Sequence, residues 1–125
     1  MLYPEQELTR KIIGAAIEVH KATGPGLLES AYHACLAEEF RLRSVTFEAE
    51  KPVPIVYKGR QLDCGFRLDF LVEMKIVVEI KSVETLLPIH QAQLLTYLRL
   101  TKCKLGLLIN FNVPVLKNGV KRIIL

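Results

Sequence analysis

Cysteine is scarce in this chain of 125 residues, and the three present, Cys35, Cys64 and Cys103, lie far apart with no C-x-x-C pair. An odd number at such spacings argues against a disulfide framework and against a zinc or iron–sulfur site. What remains is free thiols, which behave as small hydrophobes and are expected to be buried. Long apolar runs are missing as well: none approaches the ~20 residues that a membrane-spanning helix needs, so no membrane partner is expected. The opening "MLYPEQELTRK" lacks the charged-then-apolar order of a secretory signal, and a cytoplasmic protein is expected. Internal repeats, low-complexity runs and linkers are also lacking. A chain of this length has room for one core, so residues 1–125 are read as a single domain.

Apolar residues, by contrast, make up 50% of the chain, which excludes a disordered polypeptide. The formal charge of +4 agrees with a polyanionic partner without requiring one. Two groups of cations cluster in the sequence, Arg41, Arg43, Lys51, Lys58, Arg60 and Arg67, and then Lys102, Lys104, Lys117, Lys121 and Arg122. Either group suits phosphates, and either suits a solvated surface.

Pro4 sits where a first-turn proline is tolerated. Leu8, Ile12, Ala15, Ala16, Val19 and Ala22 then recur at helical steps until Gly24-Pro25-Gly26. Leu28, Ala31, Cys35, Leu36 and Phe40 predict a second helix to about Leu42. From Phe47 the period changes to two: "VPIVY", "QLDCGFRLDFLV" and "IVVEIK" read as strands of an antiparallel meander. Pro88 opens a third helix, "KLGLLINF" is a strand apolar enough to be covered on both faces, and Asn118-Gly119 signals a closing hairpin. The order αα-βββ-α-β with a final β ribbon is that of an α+β fold whose sheet needs helices on its faces.

One stretch, "DFLVEMKIVVEIK" from Asp69 to Lys81, is apolar yet carries Asp69, Glu79 and Lys81. Alternation puts Glu79 and Lys81 on one strand face. Asp69 lies opposite Glu79 only if the intervening loop has an odd number of residues, such as Glu73-Met74-Lys75. Two close carboxylates repel, and a hard divalent cation relieves that repulsion. A lysine two residues on can orient an attacking water or offset charge on a phosphate. These are the parts of a metal-dependent phosphodiesterase, although a solvated strand also alternates Glu and Lys, and spacing alone does not decide between the two.

Asp69 followed by Glu79-Ile80-Lys81 resembles the D-x(n)-E-x-K signature of the PD-(D/E)XK nuclease superfamily, and Gly26, Glu29 and Tyr32 in "GLLESAY" resemble the pattern of the GxxExxY protein family. The likeness takes in the opening helix, "QLLTYLRLT" and "GLLINF". It implies a restriction-endonuclease-like αβββαβ core, a mixed sheet flanked by helices, with an extra N-terminal helix and the C-terminal β ribbon. It also implies that Asp69 and Glu79 bind Mg2+ or Mn2+, with the Ile80 carbonyl and Glu29 as further ligands and Lys81 as the catalytic lysine. Gln93 and Tyr97 match a Q-x-x-x-Y motif whose side chains line the site. The four-cysteine cluster of some relatives is lacking, so no iron–sulfur cofactor is implied.

Residue spacing agrees at two points. Gln93 and Tyr97, four apart, share a helical face, and Glu29 and Tyr32, three apart, share another. Helix stability, core packing and a surface amide would explain Glu29, Tyr97 and Gln93 singly. His20, His33 and His90 have no metal-binding partner at i+4 and are read as surface or helix-end residues. The expected function is a nuclease that hydrolyses DNA by metal-activated water attack. Its rivals are a catalytically silent nucleic-acid-binding or assembly module on the same fold, and a structural homodimer subunit.

Overall fold

The computed structural model describes residues 5–125. Pro4, and with it the expected first-turn proline, lies outside them. Helix α1 (Gln6–Thr23) buries Leu8, Ile12, Ala15, Ala16 and Val19, one stripe of a 3.6-residue period, and stops at Gly24, whose φ of +71° a side chain would resist. Helix α2 (Glu29–Leu42) buries Tyr32, Leu36 and Phe40 at every fourth position. Five short strands follow: β1 (Phe47–Pro52), β2 (Ile55–Tyr57), β3 (Arg60–Leu62), β4 (Arg67–Val72) and β5 (Ile76–Lys81). Helix α3 (Pro88–Thr101), β6 (Leu105–Asn110), a 3-10 turn (Leu116–Gly119) and β7 (Val120–Ile124) complete the chain.

The main sheet is mixed, in the order β1-β4-β5-β6-β7, with β5 and β6 parallel and every other pair antiparallel. Helices cover both faces. On one side α1 and α2 pack on Phe70, Val72, Ile76, Val78, Ile80, Leu105, Leu107 and Ile109. On the other, Leu94, Tyr97 and Leu98 of α3 pack on Leu71, Val77 and Leu108. The crossover from β5 through α3 to β6 makes those two strands parallel and buries them on both faces, which explains their unbroken apolar runs. Gly106 permits the close seating of α3: a Cβ there would come within 2.8 Å of Leu94.

Three local expectations change. The residues "QLDCGFRLDFLV" do not form one strand. The chain breaks between β3 and β4, where Asp63 Oδ1 accepts the Gly65 N–H at 3.0 Å and Gly65 takes φ +78°. The meander is thereby interrupted: β2 and β3 form a separate two-stranded ribbon, and β4 pairs with β1. At the C-terminus the residues around Asn118-Gly119 are a 3-10 turn, not a two-residue hairpin, and β7 joins the main sheet beside β6 instead of forming a free ribbon. Cys103 is buried and Cys35 half-buried, but Cys64, in the break between β3 and β4, is exposed. Among the described residues no helix is long and apolar enough to cross a membrane.

Candidate metal centre

The pairing Val72↔Ile76 leaves Glu73, Met74 and Lys75 as the loop between β4 and β5, the odd number that sets Asp69 opposite Glu79. The loop closes without glycine by taking Glu73 and Met74 to φ +49° and +60°. Lys75 N–H donates to the Val72 carbonyl at 3.0 Å.

Regular pairing of β4 with β5 ends at Phe70↔Val78, and side chains take over beyond it. The Asp69 N–H donates to Glu79 Oε1 at 3.3 Å, and the Ile80 N–H donates to Asp69 Oδ2 at 2.7 Å. Glu79 is only 8% exposed. Its burial first, then the Asp69 carboxylate, push its pKa up to about 9, against smaller pulls from the Asp69 backbone and from Lys81. Burial, then the charges of Glu79 and Asp69, also raise the Tyr97 phenol. Tyr97 on α3 packs in one buried cluster with Leu68, Leu71 and Val77 on the sheet's second side.

Asp69 does not follow simple alternation. Leu68 and Leu71 both pack on the α3 side while Phe70 and Val72 pack on the α1–α2 side, so the strand turns over at Asp69. The β1–β4 register likewise skips Glu50, which takes φ +53°. As a result Asp69 reaches a groove of about 230 Å³ shared with Glu29, Ser30, His33, Glu50 and Ile80. One ligand atom each from His33, Glu50 and Asp69 lies within 4.8 Å of the others. His33 Nε2 is 3.2 Å from Glu50 Oε1 and 3.2 Å from the Asp69 carbonyl oxygen, and its ring stacks on Phe70 at 4.3 Å. The expectation that His33 is a surface or helix-end residue is corrected here: it is half-buried in the groove. His20, bonded through Nε2 to the Val113 carbonyl, and His90, whose Nδ1 accepts the Leu87 N–H, do lie at helix ends.

The G-x-x-E-x-x-Y residues have a structural explanation. Tyr32 is fully buried and stacked on Phe111; its hydroxyl donates to the Gly24 carbonyl at 2.5 Å and accepts the Leu27 N–H at 3.2 Å. Gly26 takes φ +101° in the loop so clamped. Ser82, next to Lys81, ties the same loop down through the Leu27 carbonyl at 2.6 Å. The clamp sets Glu29 in the first turn of α2, at the edge of the Asp69 groove. At the same, C-terminal end of β5, Asn110 is buried and its amide brackets the Val83 backbone, accepting from its N–H at 3.1 Å and donating to its carbonyl at 2.9 Å. Lys81 pairs with Asn110 across β5 and β6, which fixes the lysine's strand end.

Of the residues singled out in the sequence, Asp69, Glu79 and Ile80 meet directly, Lys81 and Tyr97 stand close enough to exchange electrostatic influence with Glu79, and Glu29 lines the Asp69 groove. Gln93 is exposed and opens with Tyr97 on a neighbouring groove, not on that of the carboxylates. Glu50 and His33 were not expected at the site, because their partners are distant in sequence.

The profile of the PD-(D/E)XK nuclease superfamily matches residues 6–123. The chain belongs to that superfamily. The three helices and the mixed five-stranded sheet are consistent with its restriction-endonuclease-like fold. No curated protein and no solved structure shows significant similarity to the chain. The donor set fits a hard divalent cation: a superfamily member with a buried carboxyl forced against a second carboxylate has the arrangement that such an ion relieves, and His33 and Glu50 supply further donors beside Asp69.

Proposed function

We propose that this protein is a metal-dependent nuclease that hydrolyses phosphodiester bonds in DNA. The observation that carries the reading is the buried Glu79 carboxyl set against half-buried Asp69 and beside Lys81. Asp69 and Glu79 would hold Mg2+ or Mn2+, with the Ile80 carbonyl and Glu29 as further ligands, and with His33 and Glu50 within reach of Asp69. The ion supplies Lewis-acid charge to a phosphodiester and lowers the pKa of a bound water. Imidazole extends the donor set toward transition ions, so Mn2+ is expected to bind more tightly than Mg2+.

The chain's own residues do the rest. Lys81, on the same face as Glu79, orients the attacking water or offsets charge that builds on the phosphate. The Ile80 N–H holds the Asp69 carboxylate in one orientation by a charge-assisted hydrogen bond. Tyr97 closes the pair off from the α3 side, and Gln93, one helical turn away, is placed to meet substrate entering from that side.

Incubation of labelled single- and double-stranded DNA with Mg2+, Mn2+ or EDTA tests the reading. Cleavage with either ion, abolished by EDTA and reduced by at least about a hundredfold in Lys81→Ala, is the expected result. Nucleic-acid binding without any cleavage would make the protein a silent module instead.

A further inference from the structure

A second groove, of about 270 Å³, lies on the α3 side of the molecule. Ile55, Phe66, Ile89, Gln93 and Tyr97 help to line it, and no charged side chain does. Phe66 meets Tyr97 edge-on, with ring centroids 6.4 Å apart, and yet remains 40% exposed. Tyr97 belongs to the same buried cluster as Leu68, the residue before Asp69, and its phenol is raised by burial and then by the charges of Glu79 and Asp69. The β2–β3 ribbon borders the groove through Ile55 and carries Tyr57, which is 60% exposed. Lys58 Nζ lies 5.6 Å from the centre of the Tyr57 ring, and Arg60 pairs with Tyr57 across the ribbon. Arg67 follows Phe66 directly, donates to its carbonyl at 3.0 Å and pairs with Asp63 at 3.8 Å. In the same basic group, Arg41, Arg43 and Lys51 are engaged with Glu38, Glu39 and Glu48.

Open aromatic faces edged by cations suit unpaired bases on a phosphate backbone: every base has a face to stack, and cations follow the phosphates. A duplex keeps its base faces stacked on one another and gains nothing from Phe66 or Tyr57 until a strand is opened. A neutral peptide would cover the apolar floor but leave Lys58 and Arg60 uncompensated. We propose that this groove and the β2–β3 ribbon bind single-stranded nucleic acid and lead it to the acid pair, with bases against Tyr57 and Phe66 and phosphates toward Lys58 and Arg60. The consequence for cleavage rests on the nuclease reading above; the binding does not.

Fluorescence anisotropy tests the proposal with a short labelled DNA strand, an RNA strand of the same sequence and the corresponding blunt DNA duplex. Measurements are made with EDTA and with Ca2+, and supported Mn2+ reactions are run in parallel to read cleavage. The single strand is expected to bind at least about tenfold more tightly than the duplex, and Tyr57→Ala, on the exposed ribbon, to weaken it about five- to tenfold. The double change Lys58→Ala and Arg60→Ala is expected to lower the slope of log K against log salt by about 1.4. Phe66→Leu keeps apolar volume while removing the ring, and thermal melting confirms that each variant is folded. Tighter binding of either the DNA or the RNA strand supports the proposal and names the sugar. Equal or tighter binding of the duplex overturns it, as does an unchanged strand affinity in both the Tyr57 and the Lys58/Arg60 variants, which would leave a protein partner for the groove. Strand binding without cleavage would sink the nuclease reading alone, whereas cleavage with unaltered affinity in the variants would sink the groove alone.

Discussion

Glu79 is the residue on which the proposed chemistry turns, because burial and the neighbouring Asp69 hold its carboxyl protonated up to about pH 9 when no cation is bound. The folded chain then keeps a proton that the unfolded chain releases near its ordinary carboxyl pKa of 4.5. The metal-free protein should therefore be most stable, as far as this group is concerned, below pH 4.5, and lose that contribution as pH rises toward 9. Glu79→Gln mimics the protonated form, so its urea midpoint at neutral pH should match or exceed that of the metal-free parent, with a flatter pH dependence. Its cleavage rate should fall by at least about a hundredfold, since the amide cannot hold the cation. A variant that melted early at every pH would show that Glu79 is structural. His33 teaches the complementary lesson about legibility. Its neighbours, Glu50 and Asp69, come from β1 and β4, so no i+4 spacing could have flagged it. Only the register of β4 in the folded sheet brings them together.

At the scale of elements, two turns show how differently a sequence can advertise its geometry. The β4–β5 loop was readable in length because two carboxylates had to meet, although no glycine marks it. Its cost is visible in Glu73 and Met74, both at positive φ. Met74 is 66% exposed, so Met74→Gly should relieve that conformation with little lost burial and stabilise the protein by about 1 kcal/mol, measured as a shift in urea midpoint at unchanged slope. Asn118-Gly119 is the opposite case, a strong hairpin signal that belongs to a 3-10 turn. The glycine is there for space: a Cβ would fall 2.1 Å from the Asn110 carbonyl oxygen. Gly119→Ala must displace backbone at the end of β6, next to the amide that brackets Val83, and should cost ~3 kcal/mol. An alanine variant as stable as the parent would mean that the 3-10 turn shifts freely. The helices and the buried β5–β6 pair were legible because their periods are long and uninterrupted. The β2–β3 ribbon was not, because three-residue strands leave almost no period to read.

For the molecule as a whole, a cation at the acid pair would connect elements that otherwise pack through the core: α2 through Glu29 and His33, β1 through Glu50, β4 through Asp69 and β5 through Glu79. Because the unfolded chain presents no such site, binding stabilises the folded state by RT ln(1 + [L]/Kd), about 2.7 kcal/mol at a hundredfold excess over Kd. In a domain of this size that corresponds to a rise of about 10 °C in Tm. The sign of the pH effect follows from Glu79. Below about pH 9 the ion must displace its proton, so competition weakens as pH rises, and the Mn2+-induced shift should be larger at pH 8 than at pH 6. Calorimetric titration in buffers of different ionisation enthalpy should show proton release on binding. Asp69→Asn removes one carboxylate and the charge that adds to burial in raising Glu79, and should abolish both the Tm rise and the proton release while the fold persists. An equal Mn2+-induced shift in parent and Asp69→Asn would place the ion elsewhere on the surface, and the acid pair would then be a proton-sharing structural contact with no cation to organise.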